Sequence, residues 1–209
     1  MAKHRAPETD AAEFEAATSA VADVTGDYTV DAAHTRIGVR ARHAMVTTVR
    51  GSFTDFEGHA HLDSGNPQAS NVTLRINAAS IDTQVADRDA HLKSADFLDV
   101  EAYPEIVFAS TEVEQVDEAL YLVTGDLTIK DVTRPVAVEF ALTGSAQDPF
   151  GNLRVGFEGA VAIKRSEWGL TWNTPLDTGG VLVSDRIQVE FDVSAIRVAQ
   201  DGEHGGQDT

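Results

Sequence analysis

Residues 87–96, Asp-Arg-Asp-Ala-His-Leu-Lys-Ser-Ala-Asp, crowd acids, bases and a hydroxyl into one short polar stretch. On a helix, Arg88 and His91 would occupy neighbouring positions, with Asp89 able to orient a partner through a charge-assisted hydrogen bond. Two chemistries fit: His91 as a general acid or base, or Arg88, Asp89 and His91 together as a polar clasp that fixes a lid. A triad can be written from Ser94 or Ser52 with His91, but no G-x-S-x-G elbow between strand and helix supports it. The clasp is the expectation.

Other histidines offer less. His59 and His61 are two apart, hence on one face of a strand, and make half a metal site; without a third ligand at suitable spacing no metal is expected. His43 has the phase of Ile37 and Val39, so it points inward near a strand end, where its ring meets either a ligand head group or a hydrogen-bonding core partner. The chain has no cysteine, which excludes a disulfide framework, a zinc-thiolate site and a thiol nucleophile. Gly125 and Gly151 read as turn residues, since no G-x-G-x-x-G precedes a helix. No cofactor is expected.

The elements that must position these groups are mostly strands. Ile37, Val39, Ala41 and His43 alternate with Arg36, Gly38, Arg40 and Arg42, which gives one greasy face. Period two returns at Val72, Leu74 and Ile76, at Val136, Val138, Phe140 and Leu142, and at Ile187, Val189, Phe191 and Val193. At least seven such strands, divided by turn signals at Gly65-Asn66-Pro67, Gly125-Asp126, Asp148-Pro149 and Gly179-Gly180, predict an antiparallel sandwich or barrel. One helical insert is expected over about 83–98, with Asp82 as N-cap. It lies between two strands and could cover a barrel end.

Length suits one domain of about 170 residues, assigned to 27–199, with a disordered acidic and Ala-rich tail over 1–26 and another tail over 200–209. The net charge of −18 and pI near 4.5 argue against a nucleic-acid backbone as partner and against docking on anionic lipid. The tails hold only part of that charge and leave about −12 on the core. No window reaches the ~20 apolar residues of a membrane span, so stable insertion is not expected. Residues 1–24 lack an apolar stretch of signal-peptide length, which predicts a cytoplasmic protein.

Several separated motifs carry a resemblance from Tyr28 to about Val198. They are Asp31, His34 and Arg42-His43; Val49-Arg50-Gly51-Ser52-Phe53; the run from Asp87 through Phe97-Leu98 to Tyr103-Pro104-Glu105-Ile106-Val107-Phe108; Gly125-Asp126-Leu127-Thr128-Ile129-Lys130 with Thr133-Arg134-Pro135-Val136; Asp148-Pro149-Phe150-Gly151-Asn152; and Lys164-Arg165-Ser166-Glu167-Trp168-Gly169-Leu170-Thr171-Trp172-Asn173. Together they resemble the YceI-like family of lipocalin-like, polyisoprenoid-binding proteins. The resemblance implies an all-β lipocalin-like antiparallel barrel of about eight strands around an apolar tunnel, and a possible homodimer. Two departures are Leu98, where the family often has a second aromatic, and Asp131, where a glycine is common.

Residues that would line such a tunnel are Ile37, Val39, His43, Phe53, Leu74 and Ile76 with Phe108, Phe140 and Phe157 from the strands, and Phe97, Leu98, Trp168 and Trp172 from the loops. Any barrel must fill its interior, so these types suit plain core equally well. The expected function is a soluble carrier or store of a long apolar lipid: a polyisoprenoid, an isoprenoid quinone or a fatty-acyl chain. The alternatives are a small enzyme modifying such a lipid, with His43 or His91 as acid-base, and an empty, packed barrel acting through its surface.

Overall fold

A computed structural model describes residues 23–177 and 179–199. Its wall is built from β1 (Gly26–Val30), β2 (Arg36–His43), β3 (Thr47–Phe53), β4 (Phe56–Leu62), β5 (Asn71–Asn77), β6 (Ile81–Asp82), β7 (Glu105–Asp117), β8 (Leu120–Ile129), β9 (Val132–Gln147), β10 (Leu153–Lys164) and β11 (Val183–Arg197), with α1 (Ala86–Lys93) between β6 and β7. The eleven segments make eight staves, because three early staves are broken midway. β1 and β2 run end to end along β11, which pairs Val30 with Ala195 and Ile37 with Phe191. β3 and β4 continue one another in the same way against β2 and β1, and β5 and β6 against β4 and β3. Pairing of β1 with both β4 and β11 closes the sheet. The result is an eight-stave antiparallel barrel, and closure removes the exposed edges that an open sheet would present.

The breaks have local causes. Asp31 accepts from Ala33 N, and Asn77 Oδ1 accepts from Ala79 N; each carboxylate or amide thereby caps a single 3-10 turn that bends its stave. Such side-chain bonds offer the backbone an alternative to the ladder.

Two sequence expectations are corrected here. The helix spans Ala86–Lys93 only, followed by turns to Leu98, and its N-cap is Val85 rather than Asp82. Asp82 lies in β6, where its carboxylate accepts from Gln84 N. Gly125 is not a turn residue: it sits inside β8, beside the irregularity between Ser110 and Glu112 of β7. A Cβ there would lie 2.5 Å from Ala109 O and from the Phe108 ring, so glycine marks a close approach within the wall.

Order extends ahead of the expected domain start at Asp27. Val24 is buried, its amide donates to Ser64 Oγ and its carbonyl accepts from the Tyr28 hydroxyl. Residues 1–22 and 200–209, where the tails were expected, lie outside the described residues.

Candidate functional site: the barrel cavity and its polar end

Inward positions of the staves should be the best buried residues of a packed barrel, yet many of them remain half exposed. Val39, Leu74, Phe108, Phe140, Phe157 and Val189 are all intermediate in exposure, although each points away from bulk solvent, because they face a void. The cavity measures about 600 Å³, inside the ~300–1,000 Å³ range of small-molecule sites. Fully buried residues form clusters at its two ends. One gathers Ile37, Phe53, Ile76, Ile81, Leu98 and Ile129 with Trp168, and the other Val24, Tyr28, Val155 and Ala195.

Of the residues expected to line a tunnel, Ile37, Val39, His43, Phe53, Leu74 and Ile76 border the cavity, as do Phe97, Leu98, Phe108, Phe140, Phe157 and Trp172. Trp168 does not. It is 2 % exposed and packed within the wall, and its indole Nε1 donates to Leu127 O at 3.0 Å. It ends the one-turn 3-10 helix Arg165–Trp168 and packs in the buried cluster with Ile37, Ile76 and Ile129. Tyr121, not singled out from sequence, also borders the cavity; burial pushes its phenol pKa up, which keeps it neutral.

Polar groups border the cavity at both ends: His59, Asp63, Ser64, Ser70 and Thr73 on the Val24 side, and a set rich in basic side chains at the end covered by α1. Arg42 and His43 from the end of β2, Asp87, Arg88 and His91 from α1, Thr83 before it and Arg165 after β10 all reach the cavity there. Thr83 is the knot that ties α1 down. Its amide and hydroxyl both donate to Asp89 Oδ1, while Arg88 donates through Nε to the Thr83 hydroxyl at 2.7 Å and through Nη2 to its carbonyl at 2.8 Å. Arg88 and Asp89 thus form a clasp on Thr83, which is 7 % exposed.

His91 does not share that clasp. Its Nε2 lies 2.9 Å from Asp96 Oδ2, and its ring packs edge-on against Trp172 at 4.4 Å and Phe97 at 5.0 Å between centroids. Nor does Ser94 join it as a nucleophile, since the Ser94 hydroxyl donates to the His91 carbonyl. His61 Nδ1 meets Asp27 Oδ1 at 2.7 Å, and among the described residues no group of three potential metal ligands assembles around the His59/His61 pair.

Arg165 is the residue that sequence reasoning missed. It is 6 % exposed, and its guanidinium donates to the carbonyls of Ser184, Leu170 and, at 3.4 Å, Val183. Its charge also stands 5.8 Å from the Phe97 ring centroid. Burial lowers its pKa, opposed by the charge of Asp185. That carboxylate is occupied by the amide and hydroxyl of Ser166. An arginine directly after a strand in a polar Lys-Arg-Ser-Glu run gives no burial signal, because such runs are ordinarily solvated.

The site is thus a closed barrel around a mostly apolar void, with basic side chains concentrated at the α1 end. The comparisons with known proteins concern the same part of the chain. The model of the YceI-like domain matches residues 28–195. The chain belongs to the YceI-like family. Among its relatives, Protein YceI of Escherichia coli O157:H7 is 40 % identical over 154 residues, covering 73 % of this chain and 80 % of that protein. A UPF0312 protein of Ectopseudomonas mendocina (strain ymp) is 37 % identical over 150 residues, covering 71 % and 78 %. Among solved structures, Burkholderia cenocepacia BcnA superposes with a TM-score of 0.68 at 25 % identity over 79 % of this chain and 98 % of BcnA. A polyisoprenoid binding domain from Saccharophagus degradans superposes with a TM-score of 0.62 over 82 % and 98 %, at 13 % identity, and so shares the fold. The YceI-like barrel, with its single α1 insert, is therefore the architecture of this chain.

Proposed function

We propose that this YceI-like barrel binds one long apolar molecule, a polyisoprenoid, isoprenoid quinone or fatty-acyl chain, and acts as its carrier or store. The observation that carries the reading is the void itself: about 600 Å³ walled by aliphatic and aromatic side chains that a packed core would bury against one another. Apolar surface transferred from water into such a wall gains roughly 25 cal/mol per Å². The solved polyisoprenoid binding domain of the same fold agrees with this class of cargo. Polar lining at the α1 end orients it, with the head group near Arg42, His43, Arg88, His91 and Arg165 and the chain running toward Tyr28 and Val155. All five carry a guanidinium or an imidazole, so a head group bearing acceptor oxygens suits that end.

Chemistry on the cargo is the competing reading, and His43 and His91 are its candidates. His91 already shares Asp96 and is boxed by two aromatic rings, which suits a fixed wall better than a proton carrier that must reach a substrate. Native mass spectrometry of protein purified from its own source, followed by organic extraction, tests the proposal. The expected result is one stoichiometric apolar species that stays unchanged on incubation. Protein that is bare and takes up no added prenyl or acyl chain would refute it, and cargo converted over time by the parent but not by His91→Ala would replace it with an enzyme.

A further inference from the structure

Against a net charge of −18, residues 36–50 carry four arginines, Arg36, Arg40, Arg42 and Arg50, and no acid. They form the β2–β3 hairpin, whose end borders the cavity through Arg42 and His43, both exposed. Arg40 pairs with Glu190, while Arg42 donates to the Thr48 hydroxyl. Among the described residues neither Arg42 nor Arg50 meets a carboxylate.

The tip is apolar. Met45 is 59 % exposed and Val46 75 %, and Val181, also exposed, lies on the neighbouring loop where Gly180 approaches Met45. The Val46 amide donates to the His43 carbonyl across a tight turn, and both central residues, Ala44 and Met45, are left-handed, at φ 49° and 59°. Glycine or asparagine ordinarily fills such positions, since a Cβ is disfavoured there. Non-glycine residues held in this region are uncommon and are enriched at functional sites. Here the turn is spent on projecting an unpaired methionine and valine beyond a basic collar at the cavity mouth. On the α1 side of that mouth Asp89 is engaged by Thr83 and Asp96 by His91, and Asp87 also borders the cavity.

We infer that the β2–β3 hairpin is a docking surface for an anionic lipid bilayer, with Met45 and Val46 entering the interface and the arginines meeting lipid phosphates, so that the cavity mouth opens at the membrane. The inference rests on the lipid-carrier reading and adds the place where cargo is exchanged. It also reverses the expectation from net charge. Charges more than a Debye length away, about 8 Å at physiological salt, are largely screened, so a bilayer meets the hairpin tip, where Arg42 and Arg50 meet no carboxylate among the described residues, rather than the acidic body. Shallow apolar insertion combined with basic residues is the usual physics of reversible surface binding.

The test is co-sedimentation of the full chain with vesicles of phosphatidylglycerol and phosphatidylcholine, compared with phosphatidylcholine alone. Loading of a fluorescent prenyl-chain analogue is measured in parallel. Expected are preferential binding to the anionic vesicles, loss of binding at high salt, and a roughly tenfold fall in partition for Met45→Ser with Val46→Ser, and for Arg50→Glu. Prenyl loading stays at the parent level in these variants, which also shows that they fold. Equal partition on both vesicle types, or variants that bind as the parent does, overturns the inference. So does capture of the hairpin by an acidic protein while vesicles are ignored. Failure of prenyl loading with vesicle binding intact would sink the carrier reading and leave the docking surface standing.

Discussion

Replacing Val39 by tryptophan asks whether the void is real, because an empty cavity and a packed core respond with opposite signs. Val39 faces the cavity from the middle of β2, opposite Gly51 on one side and Val189 on the other. An indole in place of the isopropyl group adds roughly 100 Å² of apolar surface. Buried in the void, that surface is worth about 2.5 kcal/mol at 25 cal/mol per Å², from which rotamer restriction takes back about 1 kcal/mol. Delipidated Val39→Trp is therefore expected to be more stable than the parent by about 1–2 kcal/mol in urea unfolding. The same indole removes a similar area from the cargo's contact, so a prenyl or acyl probe should bind about 70-fold more weakly. In a filled interior, overpacking would instead cost about 1–3 kcal/mol. A destabilised variant that binds probe as tightly as the parent would refute both the cavity and its role.

Two further outcomes follow from the polar contacts. Asp89→Ala removes the acceptor of two Thr83 donors and should cost about 1–3 kcal/mol; hydrogen exchange should rise over 83–98 and probe release should accelerate, while an unchanged exchange pattern would show that the clasp does not hold α1. At the far end, Arg154 donates to both Asp31 and Asp148. Although burial opposes it, bonds from Asn152, Arg154 and the Phe150 amide hold the Asp148 carboxyl down to about 2, and Asp31 is lowered chiefly by Arg154. A depressed carboxyl stabilises the fold above its unfolded pKa, near 4, and loses that contribution as pH falls toward the folded value. Urea midpoints should therefore drop between about pH 4 and pH 2, and Asp148→Asn should flatten the drop; equal slopes in parent and variant would remove this network from the acid response.

Local alternation made most of the wall legible, because a stave with one face inward must repeat every two residues. The broken staves were not legible. A 3-10 turn at Ala32–His34 or Ala78–Ser80 shifts the inward parity, from Tyr28 and Val30 to Ile37 and Val39 and from Leu74 and Ile76 to Ile81, and such a shift reads in sequence as two separate strands rather than one bent stave. Gly125 misled for the converse reason: a glycine that admits the Phe108 ring inside a strand has the same composition as one in a turn. The helix was placed in the right segment but drawn too long, since the residues from Ala95 to Leu98 keep helical spacing while the chain folds back, Leu98 N donating to Leu92 O.

At the site, residue type and phase singled out twelve of the side chains that border the cavity, and Trp168 shows the limit. Both tryptophans lie within five residues of each other, and only the folded chain shows that Trp172 borders the void while Trp168 packs in the buried cluster. The sequence reading grouped His91 with Arg88 through their i,i+3 spacing, and only the folded chain shows that Thr83 claims Asp89 while Asp96, beyond the end of α1, meets the imidazole.

Taken by itself, the sequence determined that strands would predominate, which face of each turns inward, and that thiol chemistry is impossible, since all of these depend on residue type and short-range periodicity. Tertiary structure alone decided that the sheet closes, that its interior stays partly empty, that Arg165 is buried against carbonyls, and that the β2–β3 hairpin end stands at the cavity mouth. Those properties depend on distances between residues far apart in the chain, which periodicity does not encode.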